Sequence, residues 1–305
     1  MDEDTSLKAL IDPGNADNFF MIDGLPAFDP SATAAYSRTN ALWLVETCRL
    51  VYREDDASRK QFFEQRANLR ETRYFNTGET QGVMVRGDGF AVLAFRGTLG
   101  YRDWLSDLDC LPVNWEGDGK VHQGFKKQFD VVWADLKEEL KGIDVPVFYA
   151  GHSLGAAVAT LAAARCFFDG IKPPAMLYTF GSPRVGTTGF MHAFPSDFLH
   201  CRVVNDRDLV PTVPPRQVSR LIRPDFHHVG IPHLIEHDGH MRRGKLNDDE
   251  DRVASPFGGI LKGLTFWRDK LAEILAGNVA GLTEKFTDHA PVNYTARIEK
   301  AGDLL

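Results

Sequence analysis

The stretch Val147-Phe148-Tyr149-Ala150-Gly151-His152-Ser153-Leu154-Gly155 decides the fold, and the alanine-rich run Ala156 to Phe168 follows it directly. Val147 to Ala150 is a short apolar run of the kind that forms a buried strand. Leu154 to Phe168 has the length and alanine content of a helix. Between them stands G-x-S-x-G. The pattern alone is weak, since a chain of 305 residues with 27 glycines yields on the order of 0.1 matches by chance. Placed between a strand and a helix, it has the setting of a nucleophile elbow. The turn is tight and strained, and a Cβ at either flanking glycine would clash with the neighbouring strand or helix. Ser153 then stands at a helix N-terminus, where free N–H groups favour developing negative charge. The alternative is a turn that happens to contain a serine.

Working outward, Pro30-Ser31 can open a helix running to about Tyr52, and a second helix is predicted near Ala57 to Leu69. Thr72 to Asn76, Thr80 to Arg86 and Phe90 to Phe95 read as three strands joined by glycine-bearing turns. A helix near Phe125 to Lys141 and strands at Met176 to Phe180 and His200 to Val204 complete the pattern. Strands alternating with helices predict an α/β sheet with helices on both faces. The short early turns predict an antiparallel edge. No repeat or compositional shift marks a boundary, so residues 1–305 read as one domain with a helical region at about 30–70.

With 43% hydrophobic and 25% charged residues, the chain has a globular composition. It is long enough to bury a core without disulfide staples. The best apolar stretch, Ala156 to Phe168, contains Thr160 and Arg165 and is shorter than the roughly 20 residues of a membrane span. Net charge is −7, and no Lys/Arg cluster suits a phosphate backbone, which argues against nucleic acid and against electrostatic docking on anionic membranes. The acidic start Met1-Asp2-Glu3-Asp4 precedes no apolar segment of signal type, so a cytoplasmic setting is the default expectation and secretion stays open. Cys48, Cys110, Cys166 and Cys201 lie far apart without metal-ligand spacing and read as reduced thiols. The acidic run Asn247 to Asp251 lacks calcium-ligand spacing and reads as a solvated loop. No cofactor or metal is expected.

A serine hydroxyl needs a base to activate it, and the base needs a carboxylate to orient it. The strand His200 to Val204 runs into Asn205-Asp206-Arg207-Asp208, placing two carboxylates at its C-terminal end, where such sheets put functional groups. From residue 200 onward there are seven histidines: His200, His227, His228, His233, His237, His240 and His289. The residue types alone do not choose among them.

Phe95-Arg96-Gly97-Thr98, Val121 to Phe125, Gly151 to Gly155, Thr179 to Gly186 and Val204 to Pro211 together resemble, in order and spacing, the signature blocks of the class 3 (fungal-type) lipases. The resemblance is close over about residues 75–215 and looser beyond. It implies an α/β-hydrolase fold, a central mostly parallel sheet with helices on both faces and a short helical lid. It also implies acylglycerol ester hydrolysis by a Ser-Asp-His triad. Carried over by motif, Ser153 is the nucleophile and Asp208 the triad carboxylate, leaving Asp206 a loop or capping role. Asp288-His289 with Tyr294 after it matches the block that bears the base. His233 and the stretch His227 to His240 are the competitors for that role, because an extra segment separates Asp208 from His289. The resemblance assigns the oxyanion donors to Thr98 and to the N–H of Leu154.

Leu99 to Leu111 places Trp104, Leu105 and Leu108 at helical spacing opposite Arg102, Asp103, Ser106 and Asp107. In the family this position holds the lid, so a segment touching the lipid–water interface is expected there. A second apolar stripe, Phe257 to Gly277, reads as a core-packing helix, with an interfacial role as the sharper alternative. The implied activity is that of a triacylglycerol lipase. Phospholipase A1 and soluble or feruloyl-type esterase share the machinery, and a silent lipase-like binding module is the non-enzymatic alternative. Acyl-chain preference and oligomeric state are not legible.

Overall fold

The computed structural model describes residues 1–4, 6, 8–9, 12–98, 111–206, 208–214, 216, 225–245 and 287–302. Its helices are α1 (Arg38–Val51), α2 (Asp56–Ala67), α3 (Gln123–Lys141), α4 (Leu154–Asp169), α5 (Thr188–His192) and α6 (Pro291–Lys300). Its strands are β1 (Arg70–Thr77), β2 (Thr80–Arg86), β3 (Ala91–Phe95), β4 (Pro112–Asn114), β5 (Lys120–His122), β6 (Val147–His152), β7 (Met176–Phe180), β8 (Gly186–Thr187), β9 (His200–Asn205), β10 (Phe226–His227), β11 (Ile231–Ile235) and β12 (Met241–Arg243).

Eight strands form the main sheet in the order β1-β2-β3-β6-β7-β9-β11-β12. Both edges are antiparallel, and the centre from β3 to β11 is parallel. A small sheet, β10-β8-β5-β4, lies beside it. The central strands are apolar throughout because both faces are covered. Val92, Ala94, Phe148, Ala150, Met176 and Tyr178 pack in one core with α1 and α6 residues such as Leu44, Cys48, Tyr294 and Ile298. Ala91, Leu93, Phe95, Tyr149 and Leu177 face a second core filled from α3 and α4 by Phe125, Phe129, Leu136, Ala157, Leu161 and Cys166. Successive strand residues thus alternate between two helical layers, as the period of two requires.

Most predicted elements stand within a residue or two of their expected ends, but α1 begins at Arg38, not near Ser31. Asp29 explains the shift, because its Oδ1 accepts from both the N–H and the hydroxyl of Ser31, at 2.9 and 2.6 Å. Ser31 is therefore held in a local turn, and Ser37 caps the helix by accepting from Asn40 N at 3.2 Å. Strands β10 to β12, the small sheet and helix α6 have no counterpart in the sequence reading. The segments 99–110, 247–251 and 257–277, with Trp104, Leu105 and Leu108, lie outside the described residues. Cys48, Cys166 and Cys201 are free and buried.

One consequence of this packing is sensitivity to acid. His200 is buried on β9, with Nε2 2.9 Å from Thr179 Oγ1. His233 on β11 stacks on Tyr36 with ring centroids 4.6 Å apart. Burial pushes His200 down to about 3 and His233 down to about 4. The unfolded chain therefore binds protons below about pH 6.5 that the folded chain refuses, so stability is full above that pH and falls as the pH drops towards 4. Each group adds up to about 1.4 kcal/mol per pH unit to this slope. Urea midpoints measured from pH 7 to 4.5 are expected to fall, and to fall less steeply in His233→Phe, which keeps a ring against Tyr36. Equal slopes for the two proteins would refute this origin.

Candidate active site

The site begins at the turn between β6 and α4. Ser153 has φ 58° and ψ −128°, a backbone conformation that a residue with a side chain adopts only when its surroundings impose it. Its surroundings do so through two glycines. A Cβ on Gly151 would lie 2.3 Å from the carbonyl oxygen of Gly155, and a Cβ on Gly155 would lie 2.4 Å from the carbonyl oxygen of Arg96. The elbow therefore closes only with hydrogen at both positions. Ser153 N–H donates to Phe180 O at 3.0 Å, which anchors the turn to the end of β7. The Ser153 hydroxyl is buried and has no hydrogen-bond partner among the described residues. Contacts between a nucleophile and its base often tighten only when substrate binds.

Asp208 follows β9 and is buried. Its Oδ2 lies 2.7 Å from His289 Nδ1 and accepts the Tyr294 hydroxyl at 2.6 Å. Its Oδ1 accepts Val210 N–H at 2.8 Å. Burial and the Asp208 charge push the Tyr294 phenol well above its usual range, so it remains a donor. Tyr294 Oη also accepts Asn205 N–H, at 3.2 Å. Gly181, at φ +60°, lies directly beneath this pair, since a Cβ there would meet Asp208 Oδ2 at 2.7 Å and His289 Nδ1 at 2.8 Å. The glycine in the Thr179 to Gly186 block thus has a steric reason that its sequence setting did not reveal.

The structure places His289 on the turn before α6, and its ring centroid is 4.7 Å from that of His152, the neighbour of Ser153. Of its competitors, His233 bonds Ile231 O through Nδ1, at 3.1 Å. His237 Nδ1 lies 2.9 Å from Asp206 Oδ2 at the surface. His228 Nε2 bonds Pro211 O at 2.8 Å, and His227 Nε2 lies 2.9 Å from Asp225 Oδ1. Asp206 has the loop role expected of it, tied to His237 and, through its N–H, to Ile235 O at 3.0 Å.

On the opposite side of Ser153, β3 ends at Phe95. Arg96 N–H still donates to Gln81 O at 3.1 Å, but Gly97 N–H turns to the Tyr52 hydroxyl at 2.8 Å. A Cβ on Gly97 would sit 2.7 Å from Ser153 Cβ. Half-buried Thr98 follows, and Leu154 is the first residue of α4. The first N–H groups of a helix have no partner within it, so Leu154 can offer one to an oxyanion. No cluster of metal-ligating side chains occurs among the described residues. None of their helices is long and apolar enough to cross a membrane.

Sequence reading missed Gly181, Asn205, Tyr52 and His152 as parts of this site. The first two lie in quoted blocks, where a polar or glycine residue beside a strand end is a usable signal. His152 also lies in a quoted block, but its partner Tyr52 stands a hundred positions away and outside all of them.

The strand order, the strained serine turn and the buried Asp208–His289 pair define an α/β hydrolase. Residues 92–218 match the family profile described as Lipase (class 3). A lipase from Rhizomucor miehei is 34% identical over 150 residues, covering 45% of this chain and 41% of the relative. Phospholipase A1-II 4 of Oryza sativa subsp. japonica is 30% identical over 175 residues, covering 47% of this chain and 44% of the relative. The chain spans less than half the length of these relatives. The solved structure of Rhizomucor miehei triacylglyceride lipase superposes with a TM-score of 0.57 at 26% identity, covering 72% of this chain and 88% of that one. The resemblance to class 3 lipases and the α/β-hydrolase fold are thereby borne out.

Proposed function

We propose that this protein is a serine hydrolase of carboxylic esters, acting on acylglycerols as a triacylglycerol lipase. The observation that carries the reading is the strained Ser153 turn beside a buried Asp208–His289 pair bonded at 2.7 Å. Ser153 Oγ attacks the ester carbonyl while His289 Nε2 takes its proton. Asp208, on Nδ1, holds the imidazole in that tautomer and stabilises the imidazolium. The N–H groups of Thr98 and Leu154 receive the oxyanion. His289 returns the proton to the leaving alcohol, and water then releases the acid from the acyl-enzyme by the same steps in the second half. The chain acts as one domain, and its partners are the ester and, transiently, a lipid–water interface.

The rice relative favours a second reading, phospholipase A1, which would use the same groups. Turnover of p-nitrophenyl butyrate and palmitate, a triacylglycerol emulsion and phosphatidylcholine vesicles separates the readings. A lipase hydrolyses the emulsion best, a phospholipase the vesicles, and a soluble esterase only the short-chain ester. No turnover on any of the four would leave a binding module. We place the lid at 99–111, with Trp104, Leu105 and Leu108 on its apolar face. Opening would expose apolar area that water disfavours by about 25 cal/mol per Å², and lipid would remove that cost. Activity should then rise as substrate passes its solubility limit, and Trp104→Ser should blunt the rise more than it slows butyrate hydrolysis. The same rate on both sides of that limit would refute the gate.

A further inference from the structure

A buried chain of hydrogen bonds runs behind Ser153, from the end of β3 to the turn that carries His289. Gly97 N–H lies 2.8 Å from Tyr52 Oη. Tyr52 Oη lies 2.8 Å from His152 Nδ1. His152 Nε2 lies 2.8 Å from the carbonyl oxygen of His289. For a neutral imidazole, only one assignment of protons satisfies all three links. Gly97 can only donate, so the Tyr52 oxygen accepts there and its own proton points to His152 Nδ1. That nitrogen must then be bare, and Nε2 carries the proton donated to the His289 carbonyl. A protonated His152 would turn its Nδ1–H on the Tyr52 oxygen and leave the phenol proton without its acceptor. Burial and the nearby His289 hold the His152 imidazole well below its usual range, which keeps it neutral.

The turn bearing His289 is clamped a second time, because Asn205 Nδ2 donates to Asp288 O at 2.8 Å. Side chains from the ends of β6 and β9 therefore grip successive carbonyls of one turn. Nothing in the chemistry of ester hydrolysis proposed above uses Tyr52 or His152, yet both are buried polar groups whose bonding is complete only in this arrangement.

We propose that Tyr52 and His152 are positioning residues, a relay that holds the Gly97–Thr98 corner and the His289 turn at a fixed separation across Ser153. This rests on the roles given above to Ser153, His289 and Thr98. The relay acts on the geometry of oxyanion and base together, and touches no substrate. A neutral His152 also keeps a second positive charge away from His289 when the latter becomes imidazolium.

The test combines kinetics with a direct reading of the imidazole. Tyr52→Phe keeps the ring, which lies 5.3 Å from the Arg96 guanidinium carbon, and removes only the hydroxyl. His152→Gln keeps a donor for the His289 carbonyl and loses the acceptor for Tyr52. Each is expected to lower kcat on p-nitrophenyl butyrate about tenfold with KM nearly unchanged, the scale at which small misplacements of reacting groups act. The double variant should fall no further than the weaker single, because both break one chain. Losses that multiply to about a hundredfold would overturn the relay. Nitrogen-15 NMR of the wild type at pH 7 should show His152 Nδ1 bare and Nε2 protonated, and Tyr52→Phe should shift the His289 side-chain signals. The opposite tautomer, or His289 signals indifferent to Tyr52→Phe, would overturn the proposal even if one variant failed to fold. A wild type that neither hydrolyses esters nor reacts with a fluorophosphonate at Ser153 would refute the hydrolase reading instead, and the NMR result would still judge the relay.

Discussion

Ser153→Ala is expected to lower ester hydrolysis on the order of 10^5-fold or more, because nucleophile and base act as a unit and the loss of either removes nearly all that both supply. The remaining rate would come from the oxyanion donors and from substrate binding. Folding should survive, since the Ser153 hydroxyl has no hydrogen-bond partner among the described residues and alanine fits the same space. A thermal melt within a few degrees of wild type, together with a fluorophosphonate adduct at Ser153 that alanine abolishes, would complete the result. An active alanine variant, or labelling at another residue, would dismiss the mechanism.

His289→Ala should be nearly as severe, with a loss of several thousandfold or more. The contrast with His233→Ala is what gives the experiment its force. His233 is buried against Tyr36, so its removal should cost about 2–4 kcal/mol of stability as a large-to-small core change while sparing turnover at temperatures where the protein stays folded. If His233→Ala were dead and His289→Ala active, the base would lie elsewhere and the Asp208–His289 pair would be structural only.

The legibility of this chain follows the range of the interactions that shape each part. The elbow at Gly151 to Gly155 could be read directly, because the clash that demands each glycine comes from atoms within a few residues or from the adjacent strand end. The apolar runs of β3, β6 and β7 were legible for a related reason, since a strand covered on both faces has no polar position to interrupt it. The start of α1 was misplaced because Asp29 captures Ser31 in a turn that competes with helix capping. Strands β10 and β12 were missed because they are only two and three residues long, and β11 because Pro232 and His233 interrupt its apolar run.

The sequence by itself determined the order of the α/β elements, the elbow serine, and a short set of carboxylates and histidines that could serve it. Residue types alone left the choice among the histidines open, and the family resemblance paired His289 with Asp208 against His233 as competitor. His289 is 81 residues from Asp208, and no local pattern encodes a contact made when α6 docks on α1 and the end of β9. That docking is a tertiary event. Thr295 on α6 donates to the buried Glu46 of α1, at 2.6 Å, and Tyr294 packs in the core that both helices share. Only once that apolar surface is buried do the His289 ring, the Tyr294 hydroxyl and the Asp208 carboxylate come within hydrogen-bond reach. The roles of Tyr52 and His152 were hidden for the same reason, because a hydrogen bond between residues a hundred positions apart leaves no trace in the spacing of either.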